Sequence, residues 1–216
     1  MSELSDACTD ERRHFNENAL KFNDIAMEIF APVYPVLAEQ IIDECCITRG
    51  VCIDVGSGPA LLALELAKRV DLIIYAIDIS EEILKMAREN VGKTKLNGKV
   101  VPICGDVCAM PFKNGFADLV ISRGSLPFWH DKIQAFHEIY RVLKVGGVTF
   151  IGGGFGRDME VRNKIKEKIL RLHKEMPKLK KARLAVDHLQ CILKKAQIPK
   201  FKIVSDESGL WVKIEK

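Results

Sequence analysis

The sequence predicts an α/β chain built on a doubly wound, mostly parallel sheet. Three observations lead there. Short apolar runs lack the alternation of a half-exposed strand, as strands covered on both faces require. Amphipathic stretches of helical period separate them, and glycine or a capping residue stands at most junctions. Strand–helix alternation of this kind implies right-handed crossovers around one core.

The chain of 216 residues reads as a single domain in three parts: an N-terminal helical segment over 1–48, an alternating core over 49–154, and C-terminal helices with a closing strand pair over 155–216. From Asn16 to Cys46 the apolar residues Phe22, Ile25, Met27, Ile29 and Phe30 follow a helical pattern, and Pro32 and Pro35 break it before "VLAEQIIDECC". "VCIDV" (Val51–Val55) is the first strand and "ALLALELAKRV" the helix after it. "LIIYAI" is the second strand. Ser80 then caps a helix that runs to Val91, with Glu81 and Glu82 where the dipole favours acids. "KVVPIC" and "ADLVIS" are strands three and four, Ile133–Leu143 a helix, and "KVGG" a glycine stop before the fifth strand, "VTFIG". Val161, Ile165, Ile169, Leu172 and Met176 mark one amphipathic helix, Leu189, Ile192 and Leu193 another. "FKIV" and "LWVKI" read as an antiparallel pair around the turn "SDESG".

Apolar residues make up 48% and charged residues 29% of the chain, which excludes disordered and fibrous classes. No apolar run approaches the roughly 20 residues of a spanning helix, and the polar, acid-bearing N-terminus is unlike a secretory signal, so a cytoplasmic protein is expected. Seven cysteines (Cys8, Cys45, Cys46, Cys52, Cys104, Cys108, Cys191) form no C-x-x-C pair and no zinc spacing, which speaks against structural disulfides and a metal site. The adjacent Cys45 and Cys46 are read as small apolar residues rather than a redox handle. The net charge of +4 hides a local excess of ten positive charges between Arg157 and Lys202, compatible with RNA or an acidic protein but more simply a solvated helix face.

In open α/β sheets ligands bind beyond the carboxyl ends of the strands. After strand one, Gly56 and Gly58 flank Ser57 and allow a tight turn, but Leu61 stands where a dinucleotide fingerprint has its third glycine. Asp54, just before the turn, would repel a pyrophosphate and attract an amino group. Asp78 with Ile79, at the end of strand two, suits the hydroxyls of an adenosine ribose. Asp106, after strand three, is placed for an adenine amine, with Val107 against the ring. Ser122 and Arg123 open the "SRGSLPFW" loop after strand four, which borders the reactive end; Phe128 and Trp129 are also read as core.

Together these residues resemble the class I S-adenosylmethionine-dependent methyltransferases, in the small-molecule group with an N-terminal helical lid. "DVGSGPA", "AIDIS", "GDVCAMPF", "ADLVISRGSLPFW" and "YRVLKVGG" resemble five family blocks in order from Gly50 to Gly154, and "FNDIAMEIFAPVYPVLAEQII" resembles the lid. The resemblance implies a Rossmann-like seven-stranded sheet in the order 3-2-1-4-5-7-6, its last strand antiparallel. It also implies S-adenosyl-L-methionine as cofactor, S-adenosyl-L-homocysteine as product, and a small-molecule acceptor. Asp54 would meet the amino end, Gly56–Gly58 the methionine portion, Asp78 the ribose and Asp106 the adenine. Ala60 replaces the family's usual third glycine, and "SRGS" stands in place of an Asn/Asp-Pro-Pro-Tyr signature. No catalytic residue is assigned, because an activated methyl needs in-line placement before it needs a base; His14, Tyr34 and His130 are the candidates if one is used. The alternatives are an RNA or protein acceptor held by the basic C-terminal region, and a nicotinamide-dependent oxidoreductase, which Asp54 and Leu61 disfavour.

Overall fold

The computed structural model describes residues 12–175 and 185–216. A seven-stranded sheet has the order β3-β2-β1-β4-β5-β7-β6. Its strands are β1 Arg49–Val55, β2 Asp71–Asp78, β3 Val100–Cys104, β4 Ala117–Arg123, β5 Leu143–Gly154, β6 Phe201–Asp206 and β7 Gly209–Ile214. The first five run parallel, β7 is antiparallel to both β5 and β6, and the order is the one expected.

Successive side chains on a strand point to opposite faces, and β1 shows both faces to be covered. Cys52 belongs to one apolar cluster, with Val33, Leu37, Ile41 and Leu66; Ile53 and Val55 belong to the other, with Phe136, Ile139 and Leu193. Cys52 and Ile53 are fully buried, which is why "VCIDV" reads as a near-continuous apolar run. Each such Ile or Leu contributes roughly 1.5–3 kcal/mol of burial. Asp54 shares the face of Cys52 and carries a carboxyl group into the buried sheet.

The helices are α1 Ala19–Asp24, α2 Val33–Cys45, α3 Leu61–Ala67, α4 Glu81–Gly92, α5 Lys132–Val142, α6 Met159–Glu175 and α7 Val186–Lys195. Residues 12–17 are also helical, and a π-helical turn, Ile25–Ile29, follows α1. The chain then bends by 78° into α2. Pro32 caps α2, and Pro35 sits in its first turn, where an amide has no helical partner to lose. The break expected at "APVYP" is therefore one sharp corner. Ser80 Oγ accepts from the Ile83 amide at 3.2 Å and starts α4, as expected, and Asp131 does the same for α5.

One expectation is corrected. "KVGG" does not stop a helix: α5 already ends at Val142 and β5 begins at Leu143. The residues instead form a bulge, because β5 passes from Leu143 to Val148 while β4 advances only from Ala117 to Leu119. Gly146, at φ 79°, makes the excursion and leaves Val145 exposed at its tip. In α6, Val161, Ile165 and Ile169 face the core as expected; Met176, assigned to that helix by its pattern, lies outside the described residues, as does Cys8. Among the described residues no single helix is long and apolar enough to cross a membrane.

Candidate active site

The loop after β1 holds three left-handed residues within five positions: Gly56 at φ 63°, Gly58 at φ 57° and Ala60 at φ 61°. A side chain at Gly56 would collide with Ser125, whose Cβ would lie 2.3 Å from the added carbon, whereas one at Gly58 would meet nothing within 4 Å. The loop is thus braced beneath and open above. The brace is Ser125, which sequence reasoning missed. Its hydroxyl donates to the Val55 carbonyl at 3.0 Å, lies 2.6 Å from Ser122 Oγ, and accepts from the Trp129 indole at 3.0 Å. Only the crossover from β1 to β4 brings these residues together.

Asp54 is 2% exposed, and its Oδ2 has no hydrogen-bond partner, as is also true of the buried Ser57 hydroxyl beside it. Burial pushes the Asp54 carboxyl up to about 7, and the negative charge of Asp78 adds to the shift. Asp78 is held differently: Oδ2 accepts from the Gly58 amide at 2.9 Å and Oδ1 from the Ser80 amide at 3.1 Å. Burial raises its pKa, and the amides of Ser80, Gly58 and Ile79 oppose the rise. Ser57 N donates to the Ile77 carbonyl and Gly105 N to that of Asp78, both at 3.0 Å, so the loops after β1, β2 and β3 form one strapped surface.

On the β3 side, Asp106 Oδ1 accepts from the Cys108 amide at 2.8 Å, and Val107 is buried. At the end of β4, Ser122 is buried, while Arg123 projects among residues of the N-terminal segment. Its guanidinium lies 4.1 Å from the Phe30 ring centroid and 5.6 Å from that of Tyr34. It reaches the Gly154 carbonyl only at 3.4 Å, and among the described residues no carboxylate is within ion-pair distance of it. Burial lowers its pKa and raises that of Tyr34.

The N-terminal segment covers this surface. Ser80 Oγ donates to Asn16 Oδ1 at 2.6 Å, and Phe15 packs edge-on against Phe128 at 5.6 Å. Phe128, read as core, is 45% exposed beneath the lid, whereas Trp129 is buried. Of the three candidate bases, His14 packs among lid rings and His130 lies 3.9 Å from Asp106; Tyr34 alone faces Arg123 and Asp54.

In the basic region much of the charge is engaged locally. Arg162 bonds Glu207 and the Arg157 carbonyl, Arg157 pairs with Asp43, Lys164 with Glu160 and Lys200 with Glu215; Lys168 caps the Glu28 carbonyl. Its lysines between 176 and 184 lie outside the described residues.

The comparisons with known proteins converge. Residues 53–151 match the model of a methyltransferase domain. The uncharacterized methyltransferase YdaC of Bacillus subtilis (strain 168) is 37% identical over 129 residues, 59% of this chain and 69% of that protein. The chain belongs to the S-adenosylmethionine-dependent methyltransferases. A crystal structure from Methanococcus maripaludis, described as such a methyltransferase, superposes with a TM-score of 0.87 at 38% identity and covers 93% of each chain. The 2-methyl-6-phytyl-1,4-hydroquinone methyltransferase 1 of Oryza sativa subsp. japonica is 36% identical over 102 residues, 47% of this methyltransferase but only 30% of the rice protein.

The residues present fit the family cofactor. Two buried polar atoms, Asp54 Oδ2 and Ser57 Oγ, lack partners in the loop, Gly58 leaves open space above it, and acids rather than bases stand at three strand ends. That donor set suits an ammonium, two hydroxyls and an aromatic amine, and has the wrong sign for a diphosphate.

Proposed function

We propose that the methyltransferase alkylates a small-molecule acceptor held between the lid and the loop after β4. The observation that carries this reading is the enclosure of Arg123 by Phe30 and Tyr34 of the chain's own N-terminal segment, which supports an acceptor side built from within the chain. The rice relative is named for a hydroquinone acceptor, which supports the same class.

S-Adenosylmethionine, when bound, supplies a sulfonium methyl that is already activated. The chain's residues hold and orient it: Asp54 takes the ammonium, with Ser57 Oγ beside it, Asp78 the ribose hydroxyls, and Asp106 the adenine amine. Ile79 and Val107 flank the nucleoside, and Ser122 with Ser125 fixes the loop's height. The lid meets the cradle through Phe15 against Phe128 and through Asn16 on Ser80. Arg123 and Tyr34 line the acceptor side, where a cation favours an acceptor that reacts as an anion.

Calorimetry with S-adenosylmethionine and S-adenosylhomocysteine tests the cofactor cradle. Wild type should bind both, and Asp78→Ala, which removes a charged partner worth about 1.5–3 kcal/mol per hydrogen bond, should bind at least tenfold more weakly. Absence of binding by folded wild type at millimolar ligand rejects the cradle. Transfer of tritiated methyl to a fractionated cell extract tests the acceptor: label should appear among small molecules, and label confined to RNA or protein rejects that part of the reading.

A further inference from the structure

We propose that Asp106, Cys108 and His130 form a binding site for a zinc-like divalent cation at the adenine end of the cradle, and that cation and cofactor exclude one another. The second half rests on the proposed role of Asp106 toward adenine; the first half does not.

Along the chain these residues have no metal spacing, since His130 is more than twenty positions from Cys108. The fold removes that separation. Asp106 and Cys108 lie on the turn after β3, and His130 stands just before α5, which packs beside that turn: Gln134 Nε2 of α5 donates to the Cys108 carbonyl at 3.2 Å. A carboxylate oxygen, the thiol sulfur and an imidazole nitrogen all fall within 4.8 Å of one another. His130 Nε2 is 3.9 Å from Asp106 Oδ2, the two side chains are 11% and 18% exposed, and Cys108 is buried.

Tetrahedral zinc, with bonds of about 2.0–2.3 Å, places its donors roughly 3.3–3.8 Å apart. Closing the trio around an ion therefore asks the donor separations to shorten by about 1 Å. Magnesium and calcium prefer six or more oxygens, whereas a mixed S, N, O set suits zinc or cobalt, with the fourth position left to water. A dianionic pair of thiolate and carboxylate also balances the charge of the ion. Two second contacts orient the donors: Asp106 Oδ1 is held by the Cys108 amide at 2.8 Å, and Cys108 Sγ donates to the Asp131 carbonyl at 3.3 Å. Burial and the Asp106 charge keep the thiol protonated without an ion, its pKa pushed up to about 12. On binding, the sulfur–metal bond forms as the S–H proton leaves for solvent. Asp106 cannot serve an ion and an adenine amine together, so each ligand must weaken the other by the same factor.

The test is a cobalt titration of the full chain after treatment with chelator, read by the thiolate-to-cobalt charge-transfer absorption. Wild type should give this band at one equivalent. Cys108→Ser should lose it and His130→Gln should weaken cobalt binding about tenfold or more, with thermal melts confirming that each variant folds. Saturating S-adenosylhomocysteine should lower the apparent cobalt affinity, on the order of the 5- to 150-fold typical of coupled sites. No thiolate band in wild type, or a band that survives in both variants, overturns the site. A band indifferent to S-adenosylhomocysteine, in protein shown to bind it, overturns the exclusion. Protein that binds cobalt through Cys108 but never binds S-adenosylhomocysteine overturns the cofactor reading and the exclusion together, leaving the metal site standing.

Discussion

Asp54 couples the chemistry of the site to the stability of the chain. Its folded-state pKa of about 7 lies above the ordinary carboxylate value near 4, so between those limits the folded chain holds one proton more than the unfolded chain. Stability from this group is fully present below about pH 4 and lost as pH rises toward 7, at about 1.4 kcal/mol per unit and no more than about 4 kcal/mol in all. Urea melts at pH 5 and pH 7.5 should show the ligand-free protein less stable at the higher pH, and Asp54→Asn should flatten the difference. Parallel melts of the two proteins would count against a strained, buried acid. The position of this residue at the site was legible in the sequence because an acid amid the apolar run "VCIDV" is conspicuous. Arg123, by contrast, was assigned a place but not its aromatic surroundings, since Phe30 and Tyr34 come from the N-terminal segment that bends by 78° into α2.

At the scale of elements, α3 begins under strain. Ala60, fully buried at φ 61°, occupies a conformation that costs an alanine roughly 1–2 kcal/mol. Ala60→Gly relieves this while loosening the unfolded chain, and it should be neutral or stabilising by up to about 1 kcal/mol. Ala63→Gly, one turn into the same helix and equally buried, should cost about 1 kcal/mol. Equal losses from both variants in thermal melts would refute the strain. Strands and capped helices were readable because their signal is local: a near-continuous apolar run for β1, one hydroxyl for α4. The β5 bulge was misread because glycine after a helix usually ends it; here the register between β4 and β5 uses Gly146 instead, and register is set by a partner strand far along the chain. The same separation hid Ser125, whose purpose shows only when β4 lies beside β1.

For the molecule as a whole, alternation anticipated the doubly wound sheet and the family resemblance its strand order, including the reversed β7, while the gathering of Asp106, Cys108 and His130 follows from packing that no single segment encodes. One consequence concerns Cys52. It sits at full burial in an interior strand, β1, paired with Ile74 of β2 on one side and Leu119 of β4 on the other, and burial holds its thiol pKa well above the usual value. An alkylating reagent reaches it only when the sheet parts, whereas the exposed Cys46 and Cys191 are within reach of solvent. Peptide-resolved alkylation should therefore label Cys191 at once and Cys52 at the rate of global opening. Saturating S-adenosylhomocysteine should slow the second by a factor of about 1 + [L]/Kd and leave the first unchanged. Strand β1 thus carries an internal gauge of cofactor affinity, readable by mass spectrometry without knowledge of the acceptor.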